Sequence, residues 1–284
     1  MTPALATAPF WRYSLLMHFV RWLLLGLLLA FPAFAAPDLM SQISRKIMQG
    51  QRDEAMALLD KAIAEHPQEA KWFLARGRLR GTMDQPEKAI EDFNAVINID
   101  TNMARAFHER GWARFKLGQF KESVADFDQF LKLQPDFAPE HWQRGIALYY
   151  AGEYERGRNQ FEAHQKVNPR DVENAVWHFL CVARLNGVEK AKASLIPVQG
   201  DTRVPMKEIH ALFAGKAKPE DVLAAARQPG ELFYAHLYLG LYYAAYGDKA
   251  KAGEHIDKAA TEFHMNNYMG DVARVHAALF KKGQ

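Results

Sequence analysis

The residues of this 284-residue sequence that could do chemistry are its histidines, its single cysteine, and aromatic and basic side chains recurring at helical spacing. Eleven histidines invite a search for a metal site. Catalytic zinc would need two of them on one helix face with a glutamate between, and structural zinc would need paired cysteines. Neither pattern occurs: His108, His141, His164, His178, His236 and His255 fall in separate predicted helices, and Cys181 is alone. Cys181 lies in the apolar stretch Trp177-His178-Phe179-Leu180-Cys181-Val182, where a free thiol behaves as a small buried hydrophobe, and a lone cysteine excludes an intramolecular disulfide. Nucleophile elbows and phosphate-cradling glycine loops are missing too. The sequence therefore predicts no catalytic residue, no metal and no cofactor. An enzyme built on the histidine-rich C-terminal half, His255 and His264 included, stays open as the lesser alternative.

Whatever these side chains do, a repeat positions them. Gly77, Gly111 and Gly145 lie 34 residues apart, as do Gly50, Asp84, Gly118 and Gly152, then Phe93, Phe127 and Phe161, then Pro67, Thr101, Pro135 and Pro169. A unit of this length is two antiparallel helices that bury their apolar faces only by stacking on neighbours. The first glycine series falls inside the first helix of each pair, where a missing side chain admits the second helix. The second series falls between the helices, where a residue tolerant of positive φ ends the first one. The phenylalanines are expected to fill the core between adjacent units, and the prolines to open the turn into the next. Arg76, Arg110 and Arg144 recur at the same interval. Their regularity predicts a structural role, with stems packed between units and guanidiniums on Asp, Glu or helix carbonyls.

This pattern resembles the tetratricopeptide repeat. It divides the chain into units 36–69, 70–103, 104–137 and 138–171, a degenerate unit 172–196, an irregular segment 197–230 with two short helices, and a C-terminal unit with a capping helix over 231–284. The resemblance implies an all-α, right-handed helical solenoid that is non-catalytic and binds protein or peptide segments in a concave groove. By matching position, the groove carries Lys71, Leu74 and Arg78, then Arg105, His108, Trp112, Phe115 and Lys116, then Trp142, Ile146, Tyr149 and Tyr150. A basic rim then meets an aromatic floor, and Arg and aromatic residues are the usual anchors of interfaces. Trp112, Trp142 and Tyr149 also admit a plainer reading, as packing between helices. If they are anchors, replacing both tryptophans by alanine abolishes client binding and leaves the helices intact.

A second resemblance lies in Arg144-Gly145-Ile146-Ala147-Leu148-Tyr149-Tyr150-Ala151-Gly152, then Val176-Trp177-His178-Phe179-Leu180, then Tyr238-Leu239-Gly240-Leu241-Tyr242-Tyr243 and Gly247-Asp248. These stretches are similar, in the same order, to the NlpI-like envelope lipoproteins. That similarity implies a bacterial cell-envelope scaffold, often a homodimer, that links a tail-specific protease with peptidoglycan hydrolases. The lipidated cysteine of that family has no counterpart after the leader, so a lipid anchor is not expected.

The first 35 residues read as a secretory leader: Arg12, His18 and Arg21 precede the apolar run from Leu23 to Ala30, and Ala33 and Ala35 suit signal peptidase. Cleavage after Ala35 predicts a periplasmic mature chain. The alternative is a membrane-tethered assembly factor with the leader retained as its anchor. The formal charge of +3 falls to +1 once Arg12 and Arg21 are set aside, which gives no basic footprint for nucleic acid. Hydrophobic content of 49% against 24% charged residues is enough to fold the chain on packing alone. Solenoid ends expose apolar surface, so self-association through the first and last helices is expected.

Overall fold

The computed structural model describes residues 38–283. The leader and its cleavage after Ala35 lie outside the described residues. Contacts divide the chain between Gln51 and Arg52 into two compact units. In the first, α1 (Leu39–Met48) starts where the Asp38 carboxylate accepts the Ser41 backbone N–H at 3.0 Å. This N-cap satisfies one of the amides the first turn leaves unpaired.

The second unit is helical throughout. It runs through α2 (Arg52–Glu65), α3 (Ala70–Thr82), α4 (Pro86–Ile99), α5 (Ala104–Lys116), α6 (Phe120–Leu133), a 3-10 turn (Pro135–Phe137), α7 (Trp142–Tyr150) and α8 (Tyr154–Val167). It continues with α9 (Val172–Asn186), α10 (Val188–Ala193), α11 (Met206–Phe213), α12 (Pro219–Ala225), α13 (Pro229–Ala245), α14 (Lys249–Ala260) and α15 (Tyr268–Lys281). Each helix packs on the next from α2 to α9, and α3 also meets α5 across the intervening helix. This is the stacking an all-α repeat needs to bury faces that a single pair leaves open.

The glycine spacing has a direct cause. A Cβ at Gly77 would stand 2.7 Å from the Phe93 ring, one at Gly111 2.9 Å from Phe127, and one at Gly145 2.6 Å from Phe161. Each phenylalanine therefore fills the notch left by the glycine of its own pair, rather than the space between units that the sequence suggested. Between the paired helices, Asp84, Gly118 and Gly152 hold φ of 55°, 74° and 79°, the left-handed turn that ends the first helix.

The repeating arginines staple the pairs together. Arg76 meets Asp92 at 2.7 Å and Asp60 at 2.7 Å, Arg110 meets Asp126 at 2.6 Å and Asn94 at 2.6 Å, and Arg144 meets Asp128 at 2.7 Å and Gln160 at 2.9 Å. Each guanidinium thus has one partner residue within its own pair and one in the preceding pair. Asp92 and Asp126 are buried at these joints. For Asp92, burial outweighs the Arg76 partner and raises the carboxyl above its usual range.

The core thickens around α9, whose residues from Asn174 to Val182 are all buried. It touches α7, α8, α10, α11 and α13, so the repeat stops being one-dimensional here. Cys181 is wholly enclosed, and burial pushes its thiol far above the ordinary value. Arg203, from the irregular segment, returns to Asp171 at 2.7 Å and Glu173 at 2.5 Å and ties that segment to the start of α9. Among the described residues no helix is long and apolar enough to cross a membrane.

Candidate functional site

The first helices α3, α5 and α7 carry the predicted groove residues, and α15 lies against much of that face. It caps α14, as a terminal helix should, but it also crosses to α5. Its Tyr268 ring stacks on Trp112 and meets Trp142 edge-on, with centroids 4.5 Å apart for the second pair. The Trp112 indole Nε1–H donates to the Asp271 carboxylate at 3.0 Å, and the Lys116 ammonium stands 3.9 Å from the same side chain. Arg274 bonds Oδ1 of Asp271, the oxygen that faces Lys116, while Trp112 takes Oδ2. One turn further, Tyr150 Oη and His276 Nδ1 are hydrogen-bonded at 2.7 Å.

The sequence geometry of α15 makes this possible. Asn267 caps it by accepting the Gly270 N–H at 2.9 Å, and Met269, Val272, Ala273, Val275 and Ala277 form its buried stripe. Gly270 is required by close approach: a Cβ there would fall 1.8 Å from the Met265 carbonyl oxygen. Any side chain there would force the Met265 carbonyl, in the turn that leads into the helix, to move.

The twelve predicted groove residues consequently divide into two sets, with Ile146 buried and Leu74 half-buried on the packed side. Phe115 is entirely buried, stacked on Trp112 with centroids 4.6 Å apart. Trp112, Trp142, Tyr149 and Tyr150 are half-buried and packed against the core, and Lys116 is engaged by Asp84 at 2.7 Å. Burial drives both tyrosine hydroxyls up in pKa. Trp112, Phe115, Trp142 and Tyr150 thus pack against α15 or neighbouring aromatic rings, on the floor where a client was expected. Lys71, Arg78 and Arg105 are exposed, and His108 is partly so.

Beyond the part of the face covered by α15, an open cavity of about 580 Å³ remains. Arg105, His108 and Glu109 of α5 line one wall, Phe130 of α6 and Phe137 of the 3-10 turn another, and Glu140, His141 and Trp142 the start of α7. Phe137, 48% exposed, is one of few large apolar side chains left in solvent. His108, His141 and Phe130 form an aromatic cluster with centroids 5.1 to 5.2 Å apart. His141 Nδ1 accepts the Arg144 N–H at 3.2 Å, capping α7. Burial and the neighbouring His108 push His141 down to about 3, so it is neutral at pH 7. Phe130, Phe137, Glu140 and His141 escaped sequence reasoning because they lie at the end of a second helix and in the turn after it. Phe137 beside Pro135 was the available signal.

Burial likewise lowers His236 and His276 to about 4. His236 lies against His255, Nδ1 to Nδ1 at 2.9 Å, and His276 against Tyr150. The folded state keeps these rings neutral, whereas the unfolded chain protonates them near 6.5, so it binds more protons once the pH falls below that value. Stability is then expected to be full above pH 6.5 and to decline toward pH 4, by roughly 1 to 2 kcal/mol for each histidine at pH 5. Melting curves from pH 7.5 to 4.5 test this, and an unchanged midpoint down to pH 5 would contradict it.

Family models of the tetratricopeptide repeat match residues 104–137 and 44–69. Among solved structures, the chain is similar to a tetratricopeptide repeat protein from Parabacteroides merdae, at TM-score 0.52 and 17% identity over 86% of this chain and 83% of that one. It is also similar to MamA, at TM-score 0.51 and 17% identity over 63% and 91%. PilW, described as a widely conserved type IV pilus biogenesis factor, matches at TM-score 0.50 and 15% identity over 79% and 92%. Identities this low speak for the fold alone. No curated protein matches the sequence. The 34-residue helix pairs, the glycine notches filled by phenylalanine and the two matching repeat models together show tetratricopeptide repeats in an all-α fold.

Proposed function

We propose that this chain is a non-catalytic adaptor of the bacterial cell envelope, exported by its leader, that binds segments of other proteins on the first-helix face of its repeats. Repeats of this kind point to protein interaction. The observation that carries the reading here is the open cavity beside Arg105 and Phe137, where exposed cationic and apolar side chains adjoin on rigid helices. The NlpI-like stretches favour a tail-specific protease and peptidoglycan hydrolases as clients, with a homodimer as the working form. The leader favours the periplasm, and the apolar run in it is shorter than the roughly 20 residues a membrane span needs.

A photo-crosslinking amino acid in place of Phe137, in the full-length chain expressed in its own host, tests the reading. The expected result is cross-linked envelope proteins, with a protease or hydrolase among them, that vanish when the probe is moved to Glu122, which is exposed and does not line the cavity. Loss of all cross-links at 137 and at 105 would remove the adaptor reading. Intact-mass measurement of the same material reports the leader, with Ala36 expected as the first residue.

A further inference from the structure

The face that holds α15 shows which chemistry it accepts. Its internal occupant presents an aromatic ring and a carboxylate one turn apart: Tyr268 lies on Trp112, and Asp271 takes the Trp112 N–H and faces Lys116. The open part of the same face offers the same pairing without an occupant. Arg78 of α3 and Arg105 of α5 both reach Glu109 through Nε at 3.2 Å, and both settle on one oxygen of that carboxylate. Their side chains are 52% and 58% exposed, and no other carboxylate among the described residues meets either guanidinium. Two cations share one anion. The adjoining cavity supplies apolar surface from Phe130, Phe137 and the His108 ring.

We infer that this open stretch binds an acidic protein segment bearing an aromatic side chain, with a carboxylate bridging Arg78 and Arg105 and the ring in the cavity against Phe130 and Phe137. The inference rests on the adaptor reading and specifies its partner. A second guanidinium on a single carboxylate leaves positive charge unmatched, and arginine forks bind carboxylates in two parallel hydrogen bonds. Glu140 repels a carboxylate at the start of α7, so the acid belongs at the α3 and α5 end and the ring beyond it. Neutral His108 and His141 add no charge of their own, so the cavity selects an uncharged ring. A basic segment would meet the like charge of two arginines and be disfavoured.

Fluorescence anisotropy with three labelled, end-capped peptides tests this on the full chain: Gly-Asp-Asp-Ser-Phe-Gly, the same with lysine for both aspartates, and the same with alanine for phenylalanine. The first is expected to bind at least tenfold tighter than either other, and to weaken as salt rises. Arg78→Glu with Arg105→Glu should reverse the preference between the acidic and basic peptides, which no loss of folding can mimic. Phe137→Ala should bring the phenylalanine peptide to the level of the alanine one. Equal binding of all three, preference for the lysine peptide, or no binding at millimolar concentration would each overturn the inference. If cross-linking at 137 still captures envelope proteins, the adaptor reading stands and only the partner chemistry fails.

Discussion

Replacing Trp112 and Trp142 together by alanine is expected to lower the melting temperature by about 10 °C or more. Read as groove anchors, these residues should have left folding untouched. In the structure both rings are packed under α15 through Tyr268, and Trp112 also donates to Asp271, contacts from which a folding role is expected. Core tryptophan truncations cost about 3 to 5 kcal/mol, and half-buried rings fall at the lower end, so roughly 3 kcal/mol each is the expected loss. In a chain of this size one kcal/mol moves the midpoint by roughly 2 to 4 °C. The two effects should not add, because the rings share Tyr268. A double-mutant cycle between Trp112→Ala and Tyr268→Ala should accordingly give a coupling above about 0.5 kcal/mol. Circular-dichroism melting decides the matter. A double-tryptophan variant melting within a few degrees of the wild type would mean that α15 does not hold this face.

The repeat was legible because its causes are local and periodic. A glycine at 77, 111 and 145 and a phenylalanine sixteen residues on are demanded by one contact made three times, and the sequence displays that as spacing. The partners of these arginines were equally periodic, Asp60, Asn94 and Asp128 at one end and Asp92, Asp126 and Gln160 at the other, successive members 34 residues apart. They went unread because acidic residues at helical spacing look like a solvated face. The return of α15 had no periodic signature. Val272, Ala273, Val275 and Ala277 make an apolar stripe that would serve equally to cap a solenoid end or to cross its groove. The bond from Trp112 to Asp271 spans 159 residues, and no pattern inside either helix encodes it. The site divides the same way: Arg78, Arg105 and His108 follow from position in the repeat, whereas Phe137 takes part through a turn whose direction only the fold reveals.

A single-residue effect of comparable size is expected at the joint acid Asp126. This side chain is 3% exposed and takes Arg110 at 2.6 and 2.9 Å and Arg114 at 2.8 Å. Asp126→Ala leaves two guanidiniums facing an apolar joint, with Arg110 keeping only Asn94 at 2.6 Å and Arg114 only the Glu122 carbonyl at 3.4 Å. Breaking a buried ion pair from one side costs about 3 to 5 kcal/mol, and the partial exposure of these arginines brings the expected loss to roughly 2 to 4 kcal/mol. Asp60 makes the same kind of bond to Arg76 at 2.7 Å, but its side chain is 54% exposed. Water replaces that partner, so Asp60→Ala should cost under about 1 kcal/mol. Asp126→Asn should fall between the two, since an amide oxygen still accepts from one arginine. The three variants form a graded series readable by urea unfolding, and added salt should shrink the Asp60→Ala effect by a larger share than the Asp126→Ala effect, because salt screens the exposed pair and hardly reaches the buried one. If Asp126→Ala proved no more harmful than Asp60→Ala, the arginine staples would be ornaments of the surface, and apolar stacking of the glycine and phenylalanine notches would alone hold successive pairs in register.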